Sequence, residues 1–211
     1  MARYRGPKEK LERRIGVKLS LKGERSLSPK AAMVRRPYPP GMHGNKRLRR
    51  LSEYGTQLKT KQKVRYIYRL MEKKFRRYVD EAMKSRSETA ELLVRSLEQR
   101  LDNIIYRSGI AQSRDQARQI VNHGHILVNG KKVSIPSYQV KKGDIISIRP
   151  GSQKTKFFST LVPDWIEKIS CPSWMNVDTK SQKATITGVP NLEESGLEQN
   201  DLKTIVEFYS R

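Results

Sequence analysis

Arg114 and Arg118, within "SRDQARQIVNHGHILVNGK" (residues 113–131), stand four residues apart, so a helix would project both from one side. Guanidinium is planar, permanently charged and forked, which suits it to bidentate contact with phosphate oxygens. Ala117, Ile120 and Val121 would form the apolar side of the same helix. In an average protein two such arginines are more often a solvated face. Here Arg107, Lys131 and Lys132 flank them, which favours a polyanion. His123 and His125 are the other reactive side chains nearby. They could pair on a metal, but no third ligand stands close in sequence, and hydrogen-bonded or phosphate-facing imidazoles are favoured.

Catalysis has little to work with. A hydrolytic or phosphoryl-transfer site needs a base beside a nucleophile, or carboxylates holding a metal. The remaining histidine, His43, is remote in sequence, and no G-x-G-x-x-G, Walker A, G-x-S-x-G or H-E-x-x-H pattern occurs. The expectation is a non-enzyme with no cofactor and no metal.

The arginines need a rigid mount, and the same stretch supplies one. Ser113 and Gln116 make an S-x-x-Q capping signature, and Gly124 is a natural helix stop. "HILVNGKKV" then reads as a hairpin about Asn129-Gly130, because a type I′ turn needs positive φ at two successive residues. "SYQVKKGDIISI" predicts two further strands across Gly143-Asp144. Residues 98–159 are therefore expected to be helices laid on a small curled sheet.

The rest of the chain has a different texture. Residues 1–50 read as an irregular basic arm, punctuated by Gly6-Pro7, Gly16, Gly23, Ser28-Pro29 and "RRPYPPGMHGNKR", with too few large apolar residues to fold by burial alone. Val64, Ile67, Tyr68, Met71, Phe75, Tyr78, Val79 and Ala82 recur at helical spacing, predicting one amphipathic helix over 59–84. "SRSE" (85–88) is a candidate capping box opening a second helix over about 87–107. Pro163, Pro172 and Pro190 interrupt the tail, and "TIVEFYSR" reads as a buried strand or packed terminus. The expected class is α+β, with a basic arm (1–50), a helical domain (51–97) joined by the C-terminal segment 160–211, and a module at 98–159.

Charge narrows the partner. The formal net charge is +23, from 44 Lys+Arg against 21 Asp+Glu. It is graded along the chain: residues 1–50 carry +13, 51–100 carry +6, 101–150 carry +5 and 151–211 carry −1. The N-terminal two thirds should face a polyanion, leaving the last third for another job. Tyr4 and Tyr38 lie among the arm's cations and could stack on bases. No zinc finger, basic zipper or clear helix-turn-helix is present, so folded RNA fits better than duplex DNA. One cysteine, Cys171, excludes a disulfide framework, and no stretch has the apolar run of a secretory signal or membrane span, so a soluble, cytoplasmic protein is expected.

"RLDNIIYRSGIAQSRDQARQIVNHGHILVNGKKVSIPSYQV" resembles the S4 RNA-binding domain. With "ARYRGP", "RRPYPPGMHG", "SEYGTQLKTKQKVRYIY" and the terminal "IVEFYSR", nearly the whole chain resembles the bacterial-type small-subunit ribosomal protein S4 family, most weakly over about 151–200. The resemblance implies a primary binder of small-subunit (16S) rRNA that nucleates the 5′ domain, lines the mRNA entrance path, contributes to translational accuracy and contacts ribosomal protein S5, without forming a homo-oligomer. By that resemblance Arg3, Arg5, Arg13, Arg14, Lys22, Arg35, Arg36, Arg114 and Arg118 face rRNA, with His123 and Asn129 as module positions beside the flanking Arg107 and Lys131. Lys46, Arg47, Arg49 and Arg50 would face mRNA. Zinc-binding members carry four cysteines where this sequence has Glu9, Glu12, Ser26 and Ala31, which implies a zinc-free form. The competing reading is a free assembly or stress-rescue factor with the same module; such relatives are shorter and lack the paired long helices.

Overall fold

The computed structural model describes residues 4–47, 49–85, 88–167 and 169–210. The fold is α+β, and the chain divides into two compact units: Met1–Leu93 with Leu197–Arg211, and Val94–Gly196.

The first unit is helical. Helices α1 (Lys8–Ile15), α2 (Glu24–Leu27) and α3 (Ala32–Arg35) lie within the basic arm. Leu11, Ile15, Leu19 and Leu21 are buried, and Leu11, Leu19 and Leu21 pack with Tyr66 and Ile67. The arm is thus less irregular than its composition suggests: four well-spaced aliphatic side chains suffice once a helix from elsewhere supplies the other half of the core.

Ser52 caps α4 (Glu53–Ile67), its hydroxyl accepting from the Gly55 N–H at 3.2 Å. The helix expected over 59–84 is in fact two, α4 and α5 (Glu72–Met83). The break is a Schellman-type closure: the Leu70 N–H reaches the Arg65 carbonyl at 3.1 Å and the Arg69 N–H reaches that of Tyr66 at 3.1 Å. Arg69 occupies the left-handed position, φ +57°, where glycine is usual. Sequence pattern gives no warning of a stop made by arginine. Glu88 precedes the next helix, α6 (Thr89–Glu98), but the capping box expected at 85–88 rests partly on residues outside the described set.

The C-terminal helix, Gln199–Ser210, returns to this unit and packs along α4 and α5. Of the two expectations for the closing stretch, the packed terminus holds and the strand does not: residues 204–210 are helical. Leu202 and Ile205 are buried, with Phe208 against Tyr54 at 5.5 Å and Tyr209 against Phe75 at 6.3 Å. Lys61, 5% exposed, joins the helices: its Nζ donates to Glu72 Oε1 at 2.8 Å and sits 4.7 Å from the Phe208 ring centre. Tyr209 donates to the same carboxylate at 2.6 Å.

In the second unit α6 leads into α7 (Leu101–Arg107) with a break at Gln99–Arg100, so the helix expected over 87–107 is also two. Residues 137–140, expected as a strand, instead lie along this break: the Leu101 N–H bonds the Tyr138 carbonyl (2.9 Å) and the Val140 N–H bonds that of Gln99 (2.9 Å). Helix α8 (Arg114–Asn122) follows, then strands β1 (Ile126–Val128), β2 (Lys131–Lys132) and β3 (Ile145–Ile148). Asn129 (φ +50°) and Gly130 (φ +77°) form the two-residue turn between β1 and β2, with Val128 opposite Lys131.

Beyond β3 come α9 (Pro150–Gln153), one wide π-helical turn at Phe157–Leu161, α10 (Val162–Ile166), β4 (Met175–Asp178), β5 (Lys183–Ile186) and α11 (Leu192–Ser195). The antiparallel sheet has order β2-β1-β3-β5-β4, with Ile145 opposite Thr185 and Ile146 opposite Ala184. Because β5 pairs directly with β3, residues 160–196 belong to the sheet unit, and only 197–211 join the helices. One apolar cluster unites Leu101, Ile104, Val121, Ile126, Ile146, Val162 and Ile186.

This unit also buries charge. Asp102 (5% exposed) accepts a fork from Arg100 (1% exposed), at 3.0 and 2.6 Å, and Arg118 Nη1 stands 3.9 Å away. Glu98, also buried, accepts a second fork from Arg107 at 3.0 and 2.9 Å, and a bond from Asn103 at 2.7 Å.

Two outcomes follow from these ion pairs. Arg100→Ala removes the forked partner of the Asp102 carboxylate, leaving Arg118 at 3.9 Å, and should lower unfolding stability of this unit by about 1–3 kcal/mol, measured by urea denaturation. At Glu72 burial raises the pKa, but hydrogen bonds from Lys61 and Tyr209 and the charges of Lys61 and Arg65 outweigh it and leave the carboxyl below its ordinary value. Its contribution is then present above about pH 4.3 and fades as pH falls through the lower folded pKa. Glu72→Gln, at a partly exposed and therefore screened site, should cost about 1 kcal/mol or less at pH 7, and progressively less as pH falls through the lower folded pKa.

Candidate nucleic-acid interface

In the second unit α8 is built as its sequence predicts, with one adjustment. Ser113 Oγ accepts from the Gln116 N–H at 3.3 Å, while the Gln116 side chain reaches one residue further back, to the Gln112 N–H at 2.9 Å. At the other end the Gly124 N–H bonds the Val121 carbonyl and the His125 N–H bonds that of Ile120, closing the helix.

The arginines of this unit divide. Arg114 is half-buried, its Nε donating to Asn103 Oδ1 at 2.8 Å and its guanidinium 4.5 Å from the Tyr106 ring centre. Arg118 is 4% exposed beside Asp102. Arg107 is tied to Glu98 and donates to the Ser195 carbonyl at 2.8 Å. Arg118 is buried beside Asp102, and Arg107, its side chain 20% exposed, is tied to Glu98, so both help fix the base from which α8 projects. The i, i+4 spacing placed Arg114 and Arg118 on one side, as it must, but that side faces α7.

What this unit offers to a polyanion is the other end of the hairpin. Lys131, Lys132, Lys141, Lys142 and Arg149 are exposed. Asn129 is a support here: its Nδ2 donates to Asp144 Oδ1 (2.8 Å) and its Oδ1 accepts from the Ile145 N–H (2.9 Å), joining the hairpin tip to the Lys141–Asp144 turn. Lys131 is thereby held near Lys141 and Lys142. Sequence reading passed over that lysine dyad, although a Lys-Lys pair directly before a Gly-Asp turn was the available signal. His123 is exposed with its ring 5.9 Å from that of His125. His125 Nδ1 lies 2.9 Å from Ser152 Oγ, and burial together with His123, Arg149 and Lys132 lowers its pKa, so it stays neutral rather than cationic at physiological pH.

In the first unit the expected rRNA-facing residues also separate into supports and exposed charges. Arg13 donates to the carbonyls of Arg36 (3.0 Å), Tyr38 (2.9 Å) and Pro39 (3.4 Å), and its guanidinium lies 4.9 Å from the Tyr38 ring centre. It pins the proline turn. Lys22 lies 3.4 Å from Glu9. Arg5, Arg14, Arg35 and Arg36 are exposed, as are Lys46, Arg47, Arg49 and Arg50. Arg3 lies outside the described residues.

Glu9, Glu12, Ser26 and Ala31, the positions that the resemblance aligns with cysteines, do not fit a metal. Glu12, 3% exposed, accepts the Leu21 N–H at 3.0 Å, and Ser26, 2% exposed, accepts the Lys22 N–H at 3.0 Å. Glu9 lies 3.4 and 3.5 Å from Lys22 and Arg25, and Ala31 has no donor atom. Among the described residues no helix is long and apolar enough to cross a membrane.

Comparison with known proteins agrees with this arrangement. Residues 3–98 match the Ribosomal protein S4/S9 N-terminal domain, and residues 99–146 match the S4 domain. The chain is 49% identical to small ribosomal subunit protein uS4 of Thermotoga petrophila, 47% to that of Halothermothrix orenii and 46% to that of Thermus thermophilus, in each case over 211 residues covering all of both chains. The chain belongs to the ribosomal protein S4 family, as a structural component and not an enzyme.

Proposed function

We propose that this protein is a primary binder of 16S rRNA that nucleates the 5′ domain of the small subunit, acting in the cytoplasm and without self-association. Its basic cluster at Lys46, Arg47, Arg49 and Arg50 would line the mRNA entrance path and contribute to accuracy, with ribosomal protein S5 as a neighbour. The observation that carries the reading is the sorting of charge. Lys61, Arg100 and Arg118 are turned inward beside carboxylates as supports, whereas exposed cations are concentrated on the arm, on α5 (Lys73, Lys74, Arg76 and Arg77) and at the hairpin tips.

Phosphate-led binding is salt-sensitive. If about ten phosphates are neutralised, affinity for 16S rRNA should fall roughly 10³- to 10⁵-fold between about 50 and 200 mM salt. Replacing Arg5, Arg35 and Arg36 by Ala should reduce the slope of log affinity against log salt by about one for each phosphate no longer neutralised. Sedimentation supplies the biological arm: stoichiometric presence in small subunits during steady growth is expected. Association only after stress would favour the free-factor alternative, and a flat salt response would remove the rRNA reading itself.

A further inference from the structure

A cleft of about 250 Å³ opens in the first unit where the N-terminal segment crosses the break between α4 and α5. Tyr4, Lys10, Arg14, Arg65, Tyr66 and Arg69 line it, and no carboxylate is among the lining residues. We propose that this cleft holds one unpaired nucleotide of an RNA chain, its base against Tyr4 and its phosphate between Lys10 and Arg14.

Three features point there. The first is chemical: two phenol rings among four cations combine a stacking face with phosphate ligands, the pairing by which single-stranded RNA is held without reading its sequence. Lys10 and Arg14 are exposed, four apart on α1, and neither has a carboxylate partner among the described residues. The second is size. A cavity smaller than the 300–1,000 Å³ or so of drug-sized sites suits a single base.

The third is the strain built into the wall. Arg69 adopts φ +57° and donates from Nη2 to the Tyr4 carbonyl at 3.3 Å, its guanidinium 5.7 Å from the Tyr4 ring centre. A left-handed arginine is disfavoured relative to ordinary helical backbone, and such outliers cluster at binding sites. Beside it Arg65 stands 4.9 Å from the Tyr66 ring centre with a buried Nε that has no hydrogen-bond partner. Gly6 completes the arrangement: a Cβ there would fall 2.6 Å from Tyr4 Cζ, so only glycine lets the ring fold back to this position.

The inference rests on the RNA-binding reading, and a short oligonucleotide tests the cleft apart from rRNA. The full-length protein is mixed with a hexa-adenylate RNA, cross-linked by ultraviolet light and mapped by mass spectrometry, with affinity measured in parallel. A cross-link at Tyr4 or Tyr66 is expected. Tyr4→Ala and Lys10→Glu should each weaken hexamer binding about 5- to 100-fold, whereas Lys18→Glu, the same charge change at an exposed site outside the cleft, should not. Cross-links confined to other segments, or equal losses in Lys10→Glu and Lys18→Glu, would overturn the proposal. AMP displacing the hexamer at equal concentration would overturn the chain-borne occupant in favour of a free nucleotide. Normal 16S rRNA affinity alongside either negative result leaves the rRNA reading standing and removes the cleft alone.

Discussion

Asp102 sits almost out of water with Arg100 forked onto it and Arg118 at its flank, and Glu98 does the same for Arg107. A chain of net charge +23 cannot fold without deciding which cations to place inside, since each buried guanidinium carries a desolvation penalty that only a well-oriented carboxylate offsets. Two carboxylates near the start of α7 make that decision for three arginines. Their bonds fix α7 beside the end of α6 and set Asn103 to receive Arg114. The position of α8, and with it the hairpin that follows, depends on this internal charge pairing.

The same rule operates by other means in the helical unit. Lys61 is buried yet paired with Glu72, and the ring of Phe208 covers it. Tyr209 shares that carboxylate, and burial with the Glu72 hydrogen bond drives its hydroxyl pKa far upward, so it remains a donor. The acidic residues of the tail serve here too: Asp201 reaches Lys63 at 2.7 Å. The near-neutral last third of the sequence thus supplies both a helix whose Asp201 pairs with the half-buried Lys63 and two strands that extend the sheet.

How much of this could be read in advance depended on whether the deciding interaction was local. The Asn129-Gly130 turn, the Ser113 cap and the closure at Gly124 are set within a few residues, and their side chains announce them. The α4–α5 break was hidden because arginine fills a glycine's position, held there by a hydrogen bond to Tyr4 from the far end of the unit. "TIVEFYSR" reads as strand from its β-branched and aromatic residues, yet Leu202, Ile205 and Tyr209 have helical spacing and a helical partner. The contact of Arg118 was not legible for the same kind of reason: its spacing gave its face, but nothing local shows that Asp102 lies on that face.

The basic arm brings these strands together. In its early part Glu12 and Ser26 spend their oxygens on the backbone N–H groups of Leu21 and Lys22, fixing the turn after α1 from within. A metal gathers four ligands about one point; here two hydrogen bonds and the packing of Leu11, Leu19 and Leu21 on Tyr66 and Ile67 restrain the same stretch. That makes the restraint directional and local, so it stops where the donors stop. Past α3 it is Arg13 that reaches forward, to the carbonyls of residues 36, 38 and 39. Beyond that point the exposed cations Lys46, Arg47, Arg49 and Arg50 have no carboxylate partner among the described residues, and their mutual repulsion would be lowered by a negative partner.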